Sequence, residues 1–162
     1  MTATTHPQTE IIVDPGLPTV TIVREFDATP DKVFRAHVDP ELVVQWLGPH
    51  DITTRLDRWD PQTGGGYRYV CGRDGEEYKF YGAFHEVRPN ERIVQTFTFE
   101  GVPDGVSLET ATFEELPGGR TRLTALSVMD SMQARDAMVA SGMETGIVQG
   151  YESLDDLLAA EG

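Results

Sequence analysis

Polar and apolar positions alternate through most of this chain. "TVTIVREF", residues 19–26, sets Val20, Ile22 and Phe26 on one face beside Arg24, which is the period of a strand. From 52 to 129 the same period recurs in "ITTRLDRW", "GYRYVCG", "YKFYGAFHEV", "RIVQTFTFE", "SLETATFEEL" and "TRLTALSVM". Turn sequences rich in Gly, Pro, Asn and Asp separate these stretches, and connections this short imply antiparallel neighbours. The reading is a meander of about six strands, with the first strand joining at an edge.

Two segments carry helical signals instead. "ATPDKVFRAH" offers Thr29 as N-cap, Pro30 at the first helical position and Asp31 in the first turn. "VDPELVVQWLGP" repeats the device with Asp39 and Pro40 and stops at Gly48-Pro49. From about Ser131 to Ala159 the pattern predicts one long helix, capped by Asp130 or Ser131. Gly142, Gly146 and Gly150 lie four residues apart inside it, each costing about 0.5–1 kcal/mol relative to alanine. We read them as a ridge that admits a close backbone or a bend near Gly146. A stripe of Ala137, Ala140, Glu144, Ile147, Tyr151, Leu154 and Leu158 is then expected to face the sheet.

Strand, two short helices, six strands and a long helix make an α+β fold: one curved antiparallel sheet of about six to seven strands, with the long helix over it. A cavity is expected where the sheet curls away from that helix. Residues 1–18, rich in Thr and Pro, are read as a flexible arm with a short strand at Ile11–Val13, and residues 19–162 as one domain.

The net charge of −14 argues against nucleic acid and against an anionic membrane surface, and the thirteen Lys and Arg are scattered. No apolar run reaches the length of a membrane span, and the N-terminus lacks the pattern of a secretory signal. The lone Cys71 rules out an internal disulfide and fits a reducing, cytoplasmic compartment.

Aromatic residues recur at alternate strand positions, as an apolar small-molecule pocket requires and as an ordinary core also does. The candidate ligand-binding set is Trp46, Trp59, Tyr67, Tyr69, Phe80, Phe84, Phe97, Phe113, Glu144, Ile147 and Tyr151. Gly82 and Ala83 stand mid-strand, where small residues allow close approach. His6, His37, His50 and His85 have no metal-ligand spacing, so no metal, cofactor or catalytic set is expected.

Together "VREFDATPDKVFRAHVDPELVVQWLGP", "GGGYRYV", "YKFYGAFHEVRPNERIVQTFTFEG" and "SGMETGIVQGYESLDDLL" resemble proteins similar to the C-terminal domain of the activator of Hsp90 ATPase. That family lies within the START-like, or Bet v 1-like, superfamily. The resemblance spans about residues 19–159 and implies the helix-grip fold, with a cavity for a small, largely apolar or aromatic ligand. Family members often carry two tryptophans before the Gly-Pro, where this chain has Trp46-Leu47. The resemblance does not imply Hsp90 regulation, and a chaperone partner is not expected. A polyketide cyclase or aromatase activity is the alternative, with Glu144, Tyr69, Tyr81, His85 or Arg68 as its candidate groups. So is an interaction module of the co-chaperone kind. A homodimer is compatible with each reading.

Overall fold

The computed structural model describes residues 2–5 and 9–161, the first four by their backbone alone; His6 lies outside the described residues. Nine strands form one antiparallel sheet: β1 Thr2–Thr5, β2 Thr9–Val13, β3 Thr19–Phe26, β4 Thr53–Trp59, β5 Gly66–Arg73, β6 Glu76–Arg88, β7 Arg92–Phe99, β8 Ser107–Leu116 and β9 Arg120–Val128. Their spatial order is β1-β2-β3-β9-β8-β7-β6-β5-β4. The last six strands are the expected meander, and β3 joins at the β9 edge. The count exceeds six to seven because the N-terminal segment also enters the sheet: Thr9–Val13 pairs with Val20–Arg24, and Thr2–Thr5 pairs with Glu10–Val13.

The chain crosses from β3 to β4 through α1, Pro30–Val38, and α2, Pro40–Val43. Asp39 caps α2 by accepting from the Glu41 amide at 2.9 Å. Thr29 precedes α1, but its hydroxyl donates to the Asp31 carboxylate rather than capping a backbone amide. Ser131 caps the next helix through the Ala134 amide.

The predicted long helix is two helices, α3 Met132–Ala140 and α4 Met143–Glu161. The break falls at Gly142, whose φ of +88° suits glycine and ends α3 with the usual left-handed turn. The chain therefore bends at Gly142 rather than near Gly146. The three glycines have separate tasks. A Cβ on Gly146 would only touch Pro49, at 3.4 Å, whereas one on Gly150 would stand 3.0 Å from the Trp46 carbonyl oxygen and 3.5 Å from the Gly48 amide nitrogen. Gly150 thus lets α4 lie against the chain that leaves α2. The break also splits the predicted apolar stripe: Tyr151, Leu154 and Leu158 are buried, while Ala137 and Ala140 are exposed.

The core lies between sheet and helices. Ile11, Val20, Ile22, Phe26, Val33, Phe34, Phe113, Leu123, Tyr151, Leu154 and Leu158 belong to one cluster. A charge pair fastens α4 to β3. Arg24 is 3% exposed and donates to both carboxylate oxygens of Asp155, at 2.9 and 2.5 Å, and to the Glu25 carbonyl and Thr9 hydroxyl. Its guanidinium stands 4.7 Å from the Phe26 ring centre. Asp155→Asn keeps the shape but removes the charge opposite a buried cation. It is expected to lower unfolding free energy in urea by about 1–2 kcal/mol, and Arg24→Met in the same chain to recover part of that loss. An unchanged midpoint for Asp155→Asn removes the pair as an anchor.

Candidate functional site

Inward positions of a strand sequence build the site. On β8 the inner face carries Ser107, Glu109, Ala111 and Phe113, and on β7 it carries Ile93, Gln95 and Phe97. The register sets Gln95 opposite Glu109 and Glu109 opposite Ser127 of β9, so the three make one polar row across an otherwise apolar wall. Gln95 Nε2 donates to Glu109 Oε1 at 3.4 Å, and Ser127 Oγ donates to Oε2 at 3.2 Å. Both bonds are long and come from neutral groups. Loss of water around Glu109 therefore wins, and its carboxyl is pushed up from 4.5 to about 7, the two bonds only tempering the rise.

Tyr67 of β5 reaches the same row. Its hydroxyl donates to the Thr96 carbonyl of β7 at 2.5 Å and accepts from Gln95 Nε2 at 3.1 Å. Gly82 makes the reach feasible. The β6–β7 register runs from Tyr81↔Thr98 to Phe84↔Gln95, and Gly82 and Ala83 lie between. A Cβ on Gly82 would collide with the Thr96 carbonyl and would stand 2.6 Å from the Tyr67 hydroxyl. Burial, first of all, pushes the Tyr67, Tyr69 and Tyr151 phenols upward, and the nearby Glu109 charge adds to it.

From α1, His37 faces this row. Its Nδ1 lies 2.7 Å from the Val33 carbonyl, the last-turn geometry of an i, i−4 bond, so Nδ1 carries the proton and Nε2 keeps a free lone pair. Its ring stands edge-on to Trp46 and Phe113, at 4.8 and 5.1 Å between centres. Burial pulls its pKa from 6.5 down to about 4, against the smaller upward effect of the Val33 bond.

His37, Tyr67, Gln95 and Glu109 line a partly open cavity of about 140 Å³, together with Val43, Trp46, Leu47, Trp59, Tyr69 and Phe97. Trp46 and Trp59 are held by their indole N–H groups on the Ala36 and Val38 carbonyls, so α1 fixes both. Of the sequence candidates, Trp46, Trp59, Tyr67, Tyr69 and Phe97 line the cavity. The others stand behind it or away from it. Phe80 stacks between Tyr69 and Phe97, Phe84 packs edge-on against Trp59, Phe113 lies under His37, and Tyr151 stacks on Trp46. Glu144 and Ile147, in the first turns of α4, are half-buried outside the lining. Of the alternative acid–base candidates only Tyr69 reaches it: Tyr81 and His85 are exposed on β6, and Arg68 pairs with Glu100 and Asp57. Among the described residues, no group of three His, Cys, Asp or Glu could hold a metal ion, and no helix is long and apolar enough to cross a membrane.

His37, Gln95 and Glu109 were absent from the sequence candidates. A signal for two of them existed: Glu109 shares its parity with Phe113, and Gln95 with Phe97.

A curved sheet gripping a C-terminal helix over an aromatic cavity defines the helix-grip class of the START-like superfamily. Within that class, the model of the "Activator of Hsp90 ATPase homolog 1-like protein" family matches residues 27–159, and the chain belongs to this family. A Mycobacterium smegmatis protein of known structure is similar over 94% of this chain and 97% of its own, with 27% identity and a TM-score of 0.85. A Rhodobacter sphaeroides protein matches over 93% of this chain and 99% of its own (29% identity, TM-score 0.83). An Arthrobacter aurescens protein matches over 93% and 91% (27% identity, TM-score 0.85). No curated protein matches the chain.

Proposed function

We propose that the protein binds a small, largely apolar ligand in the cavity between α1, α2 and strands β4 to β8. The observation that carries this reading is an aromatic enclosure with a single polar row along one wall, the composition of a binding site rather than of a filled core. Its size indicates what the cavity itself can hold. An apolar cavity of about 150 Å³ takes up benzene, so about 140 Å³ suits one ring with a short substituent. Drug-sized ligands use roughly 300–1,000 Å³. A second reading, a cyclase or aromatase-like enzyme, has Glu109 in its favour, a carboxyl poised for proton transfer near neutral pH. The volume weighs against it, because a polyketide chain needs several times this space. We place the protein in the cytoplasm, as its buried, unpaired Cys71 supports.

Titration with one-ring aromatics tests the first reading, followed by the emission of Trp46 and Trp59. Saturable binding is expected, and native mass spectrometry should show one bound molecule. Leu47→Trp, which puts into the lining the second tryptophan common in relatives, should weaken binding about tenfold or more while the protein stays folded. Equal affinity in that variant, or no binding by any one-ring compound, defeats the proposal.

A further inference from the structure

We infer that the ligand is an organic cation: a compact apolar or aromatic body bearing an ammonium group, which Glu109 holds among the rings of Trp46, Trp59, Tyr67 and Tyr69. This inference rests on the binding function proposed above and adds the charge and donor pattern of the ligand.

Three observations lead to it. The first is that, apart from the uncommitted Tyr69 hydroxyl, the unspent valences of the cavity are acceptors. The Nδ1 proton of His37 is committed to Val33, which leaves Nε2 as a lone pair. Gln95 spends Nε2 on Tyr67 and Glu109, which leaves Oε1. The Tyr67 proton is committed to Thr96. The Glu109 oxygens have only two long bonds from neutral donors. An ammonium has three N–H donors and no acceptor, so it answers this set, whereas a carboxylate or phosphate would find the Tyr69 hydroxyl as its one uncommitted donor among the lining groups.

The second observation is a missing cation. Three other buried or half-buried charges are matched: Arg24 with Asp155, Arg68 with Glu100, Arg135 with Asp136. Among the described residues no Lys or Arg pairs with Glu109. Buried carboxylates are ordinarily paired, and here the place beside the carboxylate is cavity. The groups that face it are His37 from α1, Tyr67 and Tyr69 from β5, Gln95 from β7, Ser127 from β9 and Tyr151 from α4. None of them is a cation near neutral pH, since burial holds His37 neutral down to about pH 4. Arg24, whose charge is felt at Tyr151, is already held by Asp155.

The third is the enclosure. Aromatic rings attract ammonium groups and add to the pull of a partly desolvated carboxylate, and a protein of charge −14 concentrates cations around itself.

The test sets benzylamine beside benzyl alcohol, which match in shape and differ in charge. At about pH 8, where the amine is protonated and Glu109 ionised, benzylamine should bind about tenfold or more tighter. Below about pH 7 its affinity should fall, approaching tenfold per pH unit, because Glu109 must release its proton first. Benzyl alcohol should show no such fall. In Glu109→Gln, shown folded by its melting transition, the preference for the amine should vanish at every pH; the pH series on the unaltered protein needs no variant. Binding of benzyl alcohol with equal or greater affinity than benzylamine overturns the cation and leaves the cavity reading standing. An amine preference that survives in Glu109→Gln, or is the same at pH 5 and pH 8, also overturns it. Binding of neither compound overturns the cation and leaves the cavity reading to the wider series of one-ring aromatics.

Discussion

Gly82→Ala is expected to destabilise the protein by about 3–4 kcal/mol, although it adds a single methyl group to a strand. Overpacking usually costs about 1–3 kcal/mol. Here the methyl meets backbone as well as a flexible tip: the Thr96 carbonyl oxygen and carbon lie within 3 Å of the Cβ position. Relief requires β6 and β7 to part, and that parting takes the Thr96 acceptor from Tyr67 and the Tyr67 oxygen from Gln95. A lost buried hydrogen bond adds about 1 kcal/mol. In a chain of 162 residues this corresponds to a fall in melting temperature of about 10 °C. Tyr67→Phe should cost about 1–2 kcal/mol alone, and it should not rescue Gly82→Ala, because the clash with Thr96 remains. Urea unfolding of the two single variants and the double measures both statements. A Gly82→Ala protein within 1 kcal/mol of the parent would mean that β6 and β7 are further apart than described.

Gly82 also shows where the sequence was informative. A glycine amid "YKFYGAFHEV" breaks a strong strand pattern, which marks close backbone approach, but nothing in the pattern says what approaches. The strands and turns were legible for the same local reason, since period two and turn chemistry act over a few residues. Parity carried Tyr67, Tyr69 and Phe97 to the correct face. It could not separate the cavity wall from the layer behind, so Phe80, Phe84 and Phe113 were expected at a surface they only support. The stripe failed at Ala137 and Ala140 because it was drawn across Gly142 as if the helix were continuous, whereas Glu144 and Ile147 share α4 with Tyr151 and simply lie beyond the cavity lining. Thr2–Thr5 has no apolar alternation at all, and its place at the sheet edge comes from backbone pairing with β2. The polar row was hardest to see. Gln95, Glu109 and Ser127 belong to three strands, and only the register between them turns three ordinary polar residues into one site.

Glu109 and His37 are expected to give stability opposite dependences on pH, and to hide one another in the unaltered protein. Glu109 titrates at about 7 in the fold against 4.5 when exposed. The unfolded chain ionises first, so the stability that the neutral carboxyl confers is full below about 4.5 and is lost as pH rises through 7. His37 titrates at about 4 in the fold against 6.5 when exposed. Its unfolded form takes up a proton first, so its contribution is full above about 6.5 and is lost as pH falls through 4. A tenfold change in proton affinity is worth about 1.4 kcal/mol; allowing for partial exposure of both groups, each contribution is about 2–3 kcal/mol. The two windows overlap almost completely and the signs oppose. Relative to the parent, Glu109→Gln should gain about 2–3 kcal/mol at pH 8 and nothing near pH 4, so its own curve bends down on acidification. His37→Asn, which keeps a donor for the Val33 carbonyl, should do the reverse and gain near pH 4. The two single variants then diverge by about 5 kcal/mol across the window, more than either differs from the parent. Urea unfolding at half-unit pH intervals reads this directly, and the comparison cancels the titration of the surface carboxylates. Parallel curves for all three proteins would show that neither group is withdrawn from water as described. A shift in Glu109→Gln alone would leave the carboxylate in its cavity and return His37 to solvent.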